Sequence, residues 1–599
     1  MKLPLIFLGI SLAFFNSLVA QNLRQEFEQL WKSEDIYQKA HALSKLAQLD
    51  SLDSAKLFIS SLEKIVKPLS KAEQALEEEQ QKLQSAETNF SKNLSQEKIK
   101  ILSETREAYH IFLDKTTRAV ANFKNPSAIQ YLLKNAFEPK NDQIKIALLQ
   151  GFEKFKKDEI TPVYLKALKD PSFKIRLATV TFLQKNTFSE VSDVLFKLLK
   201  EPDPAWQVRC RISAILMQRN IPEVTPLFVQ EFIEVGKQGS KEATAFLIDF
   251  LKTPEEDSEI VFFPPIRQMA VIALQQKVPP EGFQPILALL SDPVWQVRTS
   301  VAKTLIAYDD PLAIEPLIEQ LAKEKGRLVE DMEEALYFLT GETHHGNAEV
   351  WRIRLKSEQE RWTRKEKKNP PKKPDRRLRG TSRYYPNKTT TKEESIVLTT
   401  NSERILYVVD FSNSMGNKIL PETASEEARQ LAPSKIRLLK NKLIQTLPKL
   451  RENQFFSILT FQDKVCCWKE ELVPATKANI QDAQEYLRQT SVDGNTDTFG
   501  ALEKAFYLND SKDFYKNYQA GVDMIFLISD GLPTVGKYKV DYENEKNSQL
   551  SILRFLDAVE EMNLLRCIKI NTIGIPPDPL DDLLGGLAVE SSAIYQYWE

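Results

Sequence analysis

Histidine and cysteine are scarce, with four of each in a chain of 599 residues. The histidines are His41, His110, His344 and His345, so the C-terminal part of the chain has none, and a Ser-His triad or a His-rich zinc centre is excluded there. Cys210, Cys466, Cys467 and Cys567 are too few for a disulfide scaffold. Free thiols and one incidental bridge both stay open, although adjacent Cys466 and Cys467 would not bridge each other without strain. Neither of that pair has a nearby imidazole to make it a nucleophile, and both are expected on an edge strand. No Gly-rich phosphate loop is present. Charge of one sign is missing as well: Lys plus Arg is 81 against 83 Asp plus Glu, which excludes a surface that traps nucleic acid as a whole.

Long apolar runs are also absent, apart from the first twenty residues. In MKLPLIFLGISLAFFNSLVA, Lys2 precedes an apolar run from Leu3 to Phe15, and the segment ends on Ala20. That is the layout of a secretory signal, and the run, interrupted by Asn16, falls short of the about 20 residues that cross a bilayer. Export to the periplasm, cell envelope or medium is expected. No cysteine lies near the cleavage point to carry a lipid.

What the chain does contain divides it into domains, because its length exceeds what one core organises. After the signal at 1–20, residues 21–123 are rich in Leu, Ala, Glu, Lys and Gln and are expected to form a helical stalk, either a hairpin or a coiled coil. Residues 124–351 repeat. IKIALLQGF at Ile144, IRLATVTFL at Ile175, VRCRISAIL at Val208, IRQMAVIAL at Ile266, VRTSVAKTL at Val297 and VEDMEEALYFL at Val329 follow at steps of 31, 33, 58, 31 and 32 residues. The long step implies an insertion, placed in KTPEEDSEIVFFPP. Asp170-Pro171, Asp203-Pro204 and Asp292-Pro293 open three units, where Asp would cap a helix and Pro suit its first turn.

These units resemble HEAT repeats, which implies an all-α solenoid of stacked helix pairs. Arg176, Arg209, Arg267 and Arg298 would form a ladder along it, expected to bind loop carbonyls or a neighbouring repeat's Asp rather than a ligand. Glu330 takes the Arg position in the last unit, as suits a terminal cap. Residues 352–392, with TRKEKKNPPKKPDRRLRG, are expected to be a basic linker. Its clustered cations would also attract an anionic envelope polymer.

From about residue 393 to 599 the pattern changes. ILYVV from Ile405, FFSILTF from Phe455, MIFLIS from Met524 and IKINTIGI from Ile568 read as buried strands separated by helices, which predicts an α/β doubly wound, mainly parallel sheet. Ile436, Leu439, Leu443, Leu447 and Leu450 give one intervening helix a single apolar face. The first run ends in Asp410-Phe411-Ser412-Asn413-Ser414 and the third in Ser529-Asp530-Gly531, with Gly494-Asn495-Thr496-Asp497-Thr498 before another helix. Ligands gather at the carboxyl ends of such strands.

In these motifs and their order the segment resembles the von Willebrand factor type A family, with its Rossmann-like fold. The resemblance implies a metal-ion-dependent adhesion site. In it Ser412 and Ser414 would coordinate a cation, Thr496 would add a third hydroxyl directly or through water, and Asp410 and Asp530 would act largely through water. Asn495 stands where the family usually has a second glycine, which leaves Thr498 as an alternative to Thr496. Hard oxygen donors suit Mg²⁺; Mn²⁺ could substitute, and Ca²⁺ would need a looser site. The chain is then expected to be a binding protein and not an enzyme. Its type A domain would capture a partner's Asp or Glu carboxylate, a second protein could sit on the HEAT-like surface, and no nucleic acid is expected. The alternative is an envelope scaffold in which the HEAT-like array recognises partners and the metal site is structural.

Overall fold

A computed structural model describes residues 19–598 except 86–88, 185–188, 202, 220, 253–262, 367–388, 392–397, 419–432, 509–520, 542–543 and 576–580. The chain divides into two units, Met1–Phe228 and Val229–Glu599. The N-terminal run expected to direct export falls at 1–18, outside the described residues. No described helix is long and apolar enough to cross a membrane. None of the four cysteines forms a disulfide among the described residues.

In the first unit, long helices Leu52–Ser85 and Asn89–Val120 pack on each other and on Ile36–Leu49, with Phe58, Leu62 and Phe112 buried among them. Shorter helices follow from Pro126, including Phe173–Leu183 and Trp206–Gln218. Two expectations about the repeats separate here. Arg176 does what the structural reading of the ladder requires: its guanidinium donates to the carbonyls of Asp170 and Pro171 at 2.8 and 2.9 Å and pairs with Asp203 of the next repeat at 2.7 and 2.8 Å. The Asp-Pro pairs, however, do not cap their helices. Asp170 and Asp203 accept from the backbone N–H two residues on, at Ser172 and Ala205, so each closes a turn ahead of a helix that starts at Phe173 or Trp206. Proline accordingly sits in the turn rather than in the first helical position.

The second unit repeats this arrangement. Its helices include α1 (Pro264–Leu274), α2 (Trp295–Tyr308), α3 (Leu328–Thr340) and α4 (Ala348–Thr363). Asp292 accepts from Val294 N at 2.8 Å, Arg267 binds Asp292 through two bonds of 2.8 and 3.0 Å, and Arg298 reaches Glu324 at 2.6 and 3.0 Å. Most of the insertion expected between the repeats, at 253–262, lies outside the described residues. From Arg352 to Thr363 the chain is helical where a linker is expected. α4 continues to Thr363 because Trp351 and Trp362 are buried on it, while Arg352 pairs with Glu319 and Arg354 with Glu342. At the other end, residues 389–391 are not linker but a strand.

The sheet runs β1 (Thr389–Thr391), β2 (Arg404–Asp410), β3 (Phe455–Phe461), β4 (Val465–Cys467), β5 (Val473–Pro474), β6 (Met524–Ser529), β7 (Lys569–Gly574) and β8 (Tyr595–Trp598). Their order is β1-β8-β7-β6-β2-β3-β4, with β5 also on β3. All pairings are parallel except those of β4 and β5 with β3. Cys466 and Cys467 lie on β4, at the sheet's edge, as expected. Both faces are covered, which explains the continuous apolar runs: Leu406 and Val408 of β2 enter one core with Phe499 and Phe555, and Ile405, Tyr407 and Val409 enter the other with Leu439 and Leu443. From β2 the chain passes to β3 on one side and later to β6 on the other, so the strand order reverses between β2 and β6.

The amino ends of β6 and β7 meet the helical repeats. Arg327, just ahead of α3, donates to the carbonyls of Cys567 and Asp523 and pairs with Asp331 at 3.2 Å, while its guanidinium lies 5.0 Å from the Trp295 ring centroid. Lys569, the first residue of β7, lies 3.0 Å from the other oxygen of Asp331. Thr299 donates to Asp331 at 2.8 Å, and Gln268 bridges Ser300 and Cys567. Burial penalises the Asp331 carboxylate, but the attraction of Arg327 and Lys569 outweighs it and holds the group well below the usual carboxylate range.

Candidate functional site

At the carboxyl ends of β2 and β6, where the strand order reverses, polar side chains converge in the position where open α/β sheets bind ligands. Asp410 ends β2 and is wholly buried. One of its oxygens accepts from Ser412 N at 2.8 Å and the other from Ser529 Oγ at 2.6 Å. Burial is the main influence on its acidity and the hydrogen bonds only partly offset it; with Asp530 nearby, its pKa is pushed up to about 6.

The chain turns through a single helical turn, Asn413–Gly416, immediately after β2. This brings Ser412 Oγ within 3.0 Å of Ser414 Oγ, which donates to Asp530 Oδ1 at 2.7 Å. The remaining oxygen of Asp530 is held by Lys435 Nζ at 2.6 Å, and both partners are buried. Lys435 opens helix α5 (Lys435–Thr446).

A third loop closes the cluster. Gly494 carries a carbonyl that accepts from Asn413 N at 3.1 Å, and Phe411 O accepts from Asp493 N at 3.0 Å, so this loop is sewn to the first. Gly494 has φ of +64°, and a Cβ there would come within 2.1 Å of Asp463 Oδ2. That carboxylate accepts from Asn495 N and Nδ2 at 3.1 and 2.9 Å, which gives Asn495 a role in holding the loop. Thr496 is fixed by Thr534, whose hydroxyl accepts from Thr496 N and whose N–H donates to Thr496 O, both at 3.0 Å. Thr496 Oγ1 and Ser414 Oγ each lie 4.0 Å from the point where a Cβ on Gly531 would stand. Thr498 begins helix α6 (Thr498–Phe506), which Asp497 caps, and its buried hydroxyl has no hydrogen-bond partner.

Four of the five residues singled out from the sequence, Asp410, Ser412, Ser414 and Asp530, are thus joined by hydrogen bonds, and Thr496 borders the same space. Ser529 and Lys435 complete the cluster, and sequence reasoning gave neither of them a role. Ser529 could have been found, since it directly precedes Asp530. Lys435 offered a fainter signal, a cation in the first turn of a helix, where the dipole disfavours it. Among the described residues no group of three or more His, Cys, Asp or Glu converges. A cation here would therefore depend on hydroxyl oxygens together with two carboxylates.

Two family models match the chain: HEAT repeats over residues 262–336, and a von Willebrand factor type A domain over residues 405–532. Among curated proteins, inter-alpha-trypsin inhibitor heavy chain H2 of Mus musculus is 33% identical over 151 residues, which is 25% of this chain and 14% of that one. The Homo sapiens heavy chain H2 is 30% identical over 195 residues, 32% of this chain and 18% of that one. The chain therefore spans less than a fifth of the length of these relatives. Among solved structures, a von Willebrand factor type A protein from Catenulispora acidiphila is 15% identical, with coverage of 33% and 39% and a TM-score of 0.23. An aerotolerance-related membrane protein from Bacteroides fragilis is 17% identical, with coverage of 33% and 90% and a TM-score of 0.23.

Proposed function

Because this chain carries a von Willebrand factor type A domain behind HEAT repeats, we propose that it is an exported adhesion or assembly protein that captures a partner's carboxylate through a divalent cation. The residues that would hold the cation are Ser412, Ser414 and Thr496 through their hydroxyls, with Asp410 and Asp530 acting largely through water. One observation carries this reading: three separate loops bring oxygen donors together at the reversal of strand order, with Ser414 Oγ bonded to Asp530, Asn413 N bonded to Gly494 O, and Thr496 Oγ1 bordering the same space. The donor set fits a hard cation. It contains only oxygen, and Mg²⁺ suits it first, with Mn²⁺ as a substitute and Ca²⁺ requiring a looser arrangement.

When bound, such a cation supplies an electrophilic centre for an Asp or Glu of the partner protein. The chain's own residues keep that centre under-neutralised. Hydroxyls are neutral ligands, and one of the two carboxylates is already partly compensated by Lys435. Binding rather than catalysis is further supported by the chemistry around the hydroxyls: Ser414 and Ser529 donate to carboxylates, and no histidine occurs after His345 to act as a general base. Export is supported by the apolar run from Leu3 to Phe15 behind Lys2. The basic stretch expected to attract anionic envelope polymers lies mainly in 367–388, outside the described residues.

The test is chelator sensitivity with the full chain. Partner capture from envelope fractions should occur in Mg²⁺, disappear in EDTA, return when Mg²⁺ is restored, and be missing in Asp410→Ala. Capture that is equal in Mg²⁺ and EDTA would contradict the metal bridge and favour a scaffold in which the repeats alone recognise the partner.

A further inference from the structure

Lys435 stands beside the proposed metal site with its charge fully committed. Its ammonium lies 2.6 Å from Asp530 Oδ2, and both side chains are almost completely buried. Its backbone is fixed independently: Lys435 N donates to Asn417 O at 2.9 Å, and residues 418 and 434 form an antiparallel bridge directly before it. Lys435 is thus set at the closed base of the excursion from 417 to 434. A lysine in the first turn of a helix is opposed by the helix dipole, so this position needs a compensating anion, and Asp530 supplies it. A flexible, solvated lysine would not be held in this way.

Two consequences follow for a cation at Ser412, Ser414 and Thr496. Asp530 has one oxygen left, already directed at Ser414, so it cannot grip an ion through both oxygens. The local charge is also one unit less negative than the two carboxylates alone would make it. Mg²⁺ tolerates both conditions, since it takes single-oxygen ligands in an octahedron and keeps waters. Ca²⁺ favours more ligands, including carboxylates that chelate through both oxygens.

We infer that Lys435 is a positioning residue that sets the metal preference of the site: by occupying Asp530 Oδ2 it favours Mg²⁺ over Ca²⁺. The inference rests on the metal reading of the site given above.

The experiment is isothermal titration of the full chain with Mg²⁺ and, separately, with Ca²⁺, for the native protein and for Lys435→Met, Lys435→Leu and Lys435→Arg. Lys435→Met frees Asp530 and adds one net negative charge, so both ions should bind more tightly, Ca²⁺ by about tenfold more than Mg²⁺. Lys435→Arg retains the charge and the contact and should keep the native ratio of affinities to within about threefold. Lys435→Leu likewise removes the charge and leaves Asp530 Oδ2 unoccupied, and it stands in for Lys435→Met should that variant fail to fold by circular dichroism. An unchanged Mg²⁺ to Ca²⁺ ratio in the neutral variants, or an equal shift in Lys435→Arg, would overturn the role of Lys435 and leave the metal site intact. Native protein that binds neither ion would overturn the metal site and this role together.

Discussion

The two ends of one parallel sheet hold buried charges that are settled in opposite ways. At the amino ends of β6 and β7, Arg327, Asp331 and Lys569 interlock with one another and with backbone carbonyls across the boundary between helical repeats and sheet. At the carboxyl ends of β2 and β6 there are two carboxylates and one ammonium, which pairs with Asp530 alone, and the remaining donors are hydroxyls that hydrogen-bond mainly among themselves and to those carboxylates. In the first cluster Glu330 also lies 3.7 Å from Lys569, so two cations are paired with two carboxylates, and the cluster serves to fix one domain on another. The second keeps an excess of negative charge and an acid, Asp410, whose pKa is pushed up to about 6. Charge left unmatched in a buried place is a disposition to bind a cation, whereas matched charge is architecture.

The comparison is broken most forcefully at the matched end. Lys569→Met should leave Asp331 without half of its compensation and destabilise the second unit by about 3–5 kcal/mol in chemical denaturation, with or without Mg²⁺. A cost below about 1 kcal/mol would mean that the cluster is not holding the domains together. At the unmatched end the effect depends on the ligand. Native protein should gain about 2.7 kcal/mol of stability when Mg²⁺ is at a hundred times its dissociation constant, and Asp410→Ala should fold yet gain nothing. Lys569→Met should keep the Mg²⁺ gain in full.

Acidification sharpens the contrast further, because Asp331 and Asp523 at the junction are shifted in opposite directions. Asp331 is held below its ordinary 3.8, so the stability it contributes is complete at neutral pH and is lost as pH falls below about 4. Asp523 is pushed up to about 6, chiefly by burial, against the pull of Arg327. It therefore contributes stability below 3.8 that is lost as pH rises through 6. Lowering the pH from 7 to 5 should thus favour the junction through Asp523, and going on from 4 to 2 should weaken it through Asp331. Melting curves of Asp523→Asn should show a smaller first change, the remainder coming from Asp410, whose pKa is likewise pushed up to about 6, and should keep the second. The smallest effect is expected on the solenoid ladder: Arg298→Ala removes one partly buried ion pair and should cost about 1–3 kcal/mol in the same denaturation assay, with no change in Mg²⁺ response.

How much of this could be read from the sequence follows from which interactions are local. The four strands of the sheet's centre were legible because burial on both faces writes an unbroken apolar run. The Asp410 and Asp530 loops were legible because each directly follows such a run. β1 was not, since Thr389–Thr391 is polar and becomes a strand only by pairing with β8 at the far end of the chain. The Asp-Pro pairs mark the right loops but not the hydrogen bond: each carboxylate closes a turn, and it receives the preceding repeat's arginine at Asp203 and Asp292 and Lys145 at Asp170. Arg327 stands outside the repeating Arg position, and its partners on the sheet lie about 200 residues away or more, at Asp523 and Cys567. Lys435 was hidden in the same way, since its meaning comes from Asp530, 95 residues further on.

The central claim is that the unmatched cluster holds one cation on hydroxyl oxygens with a coordination position left for a partner. Anomalous diffraction from Mn²⁺-soaked crystals of the full chain tests it most directly. The account predicts a single strong peak among Ser412, Ser414 and Thr496, about 2.0–2.3 Å from the coordinating hydroxyls and displaced from Lys435. No peak there, or one whose ligands come from elsewhere in the chain, would contradict it.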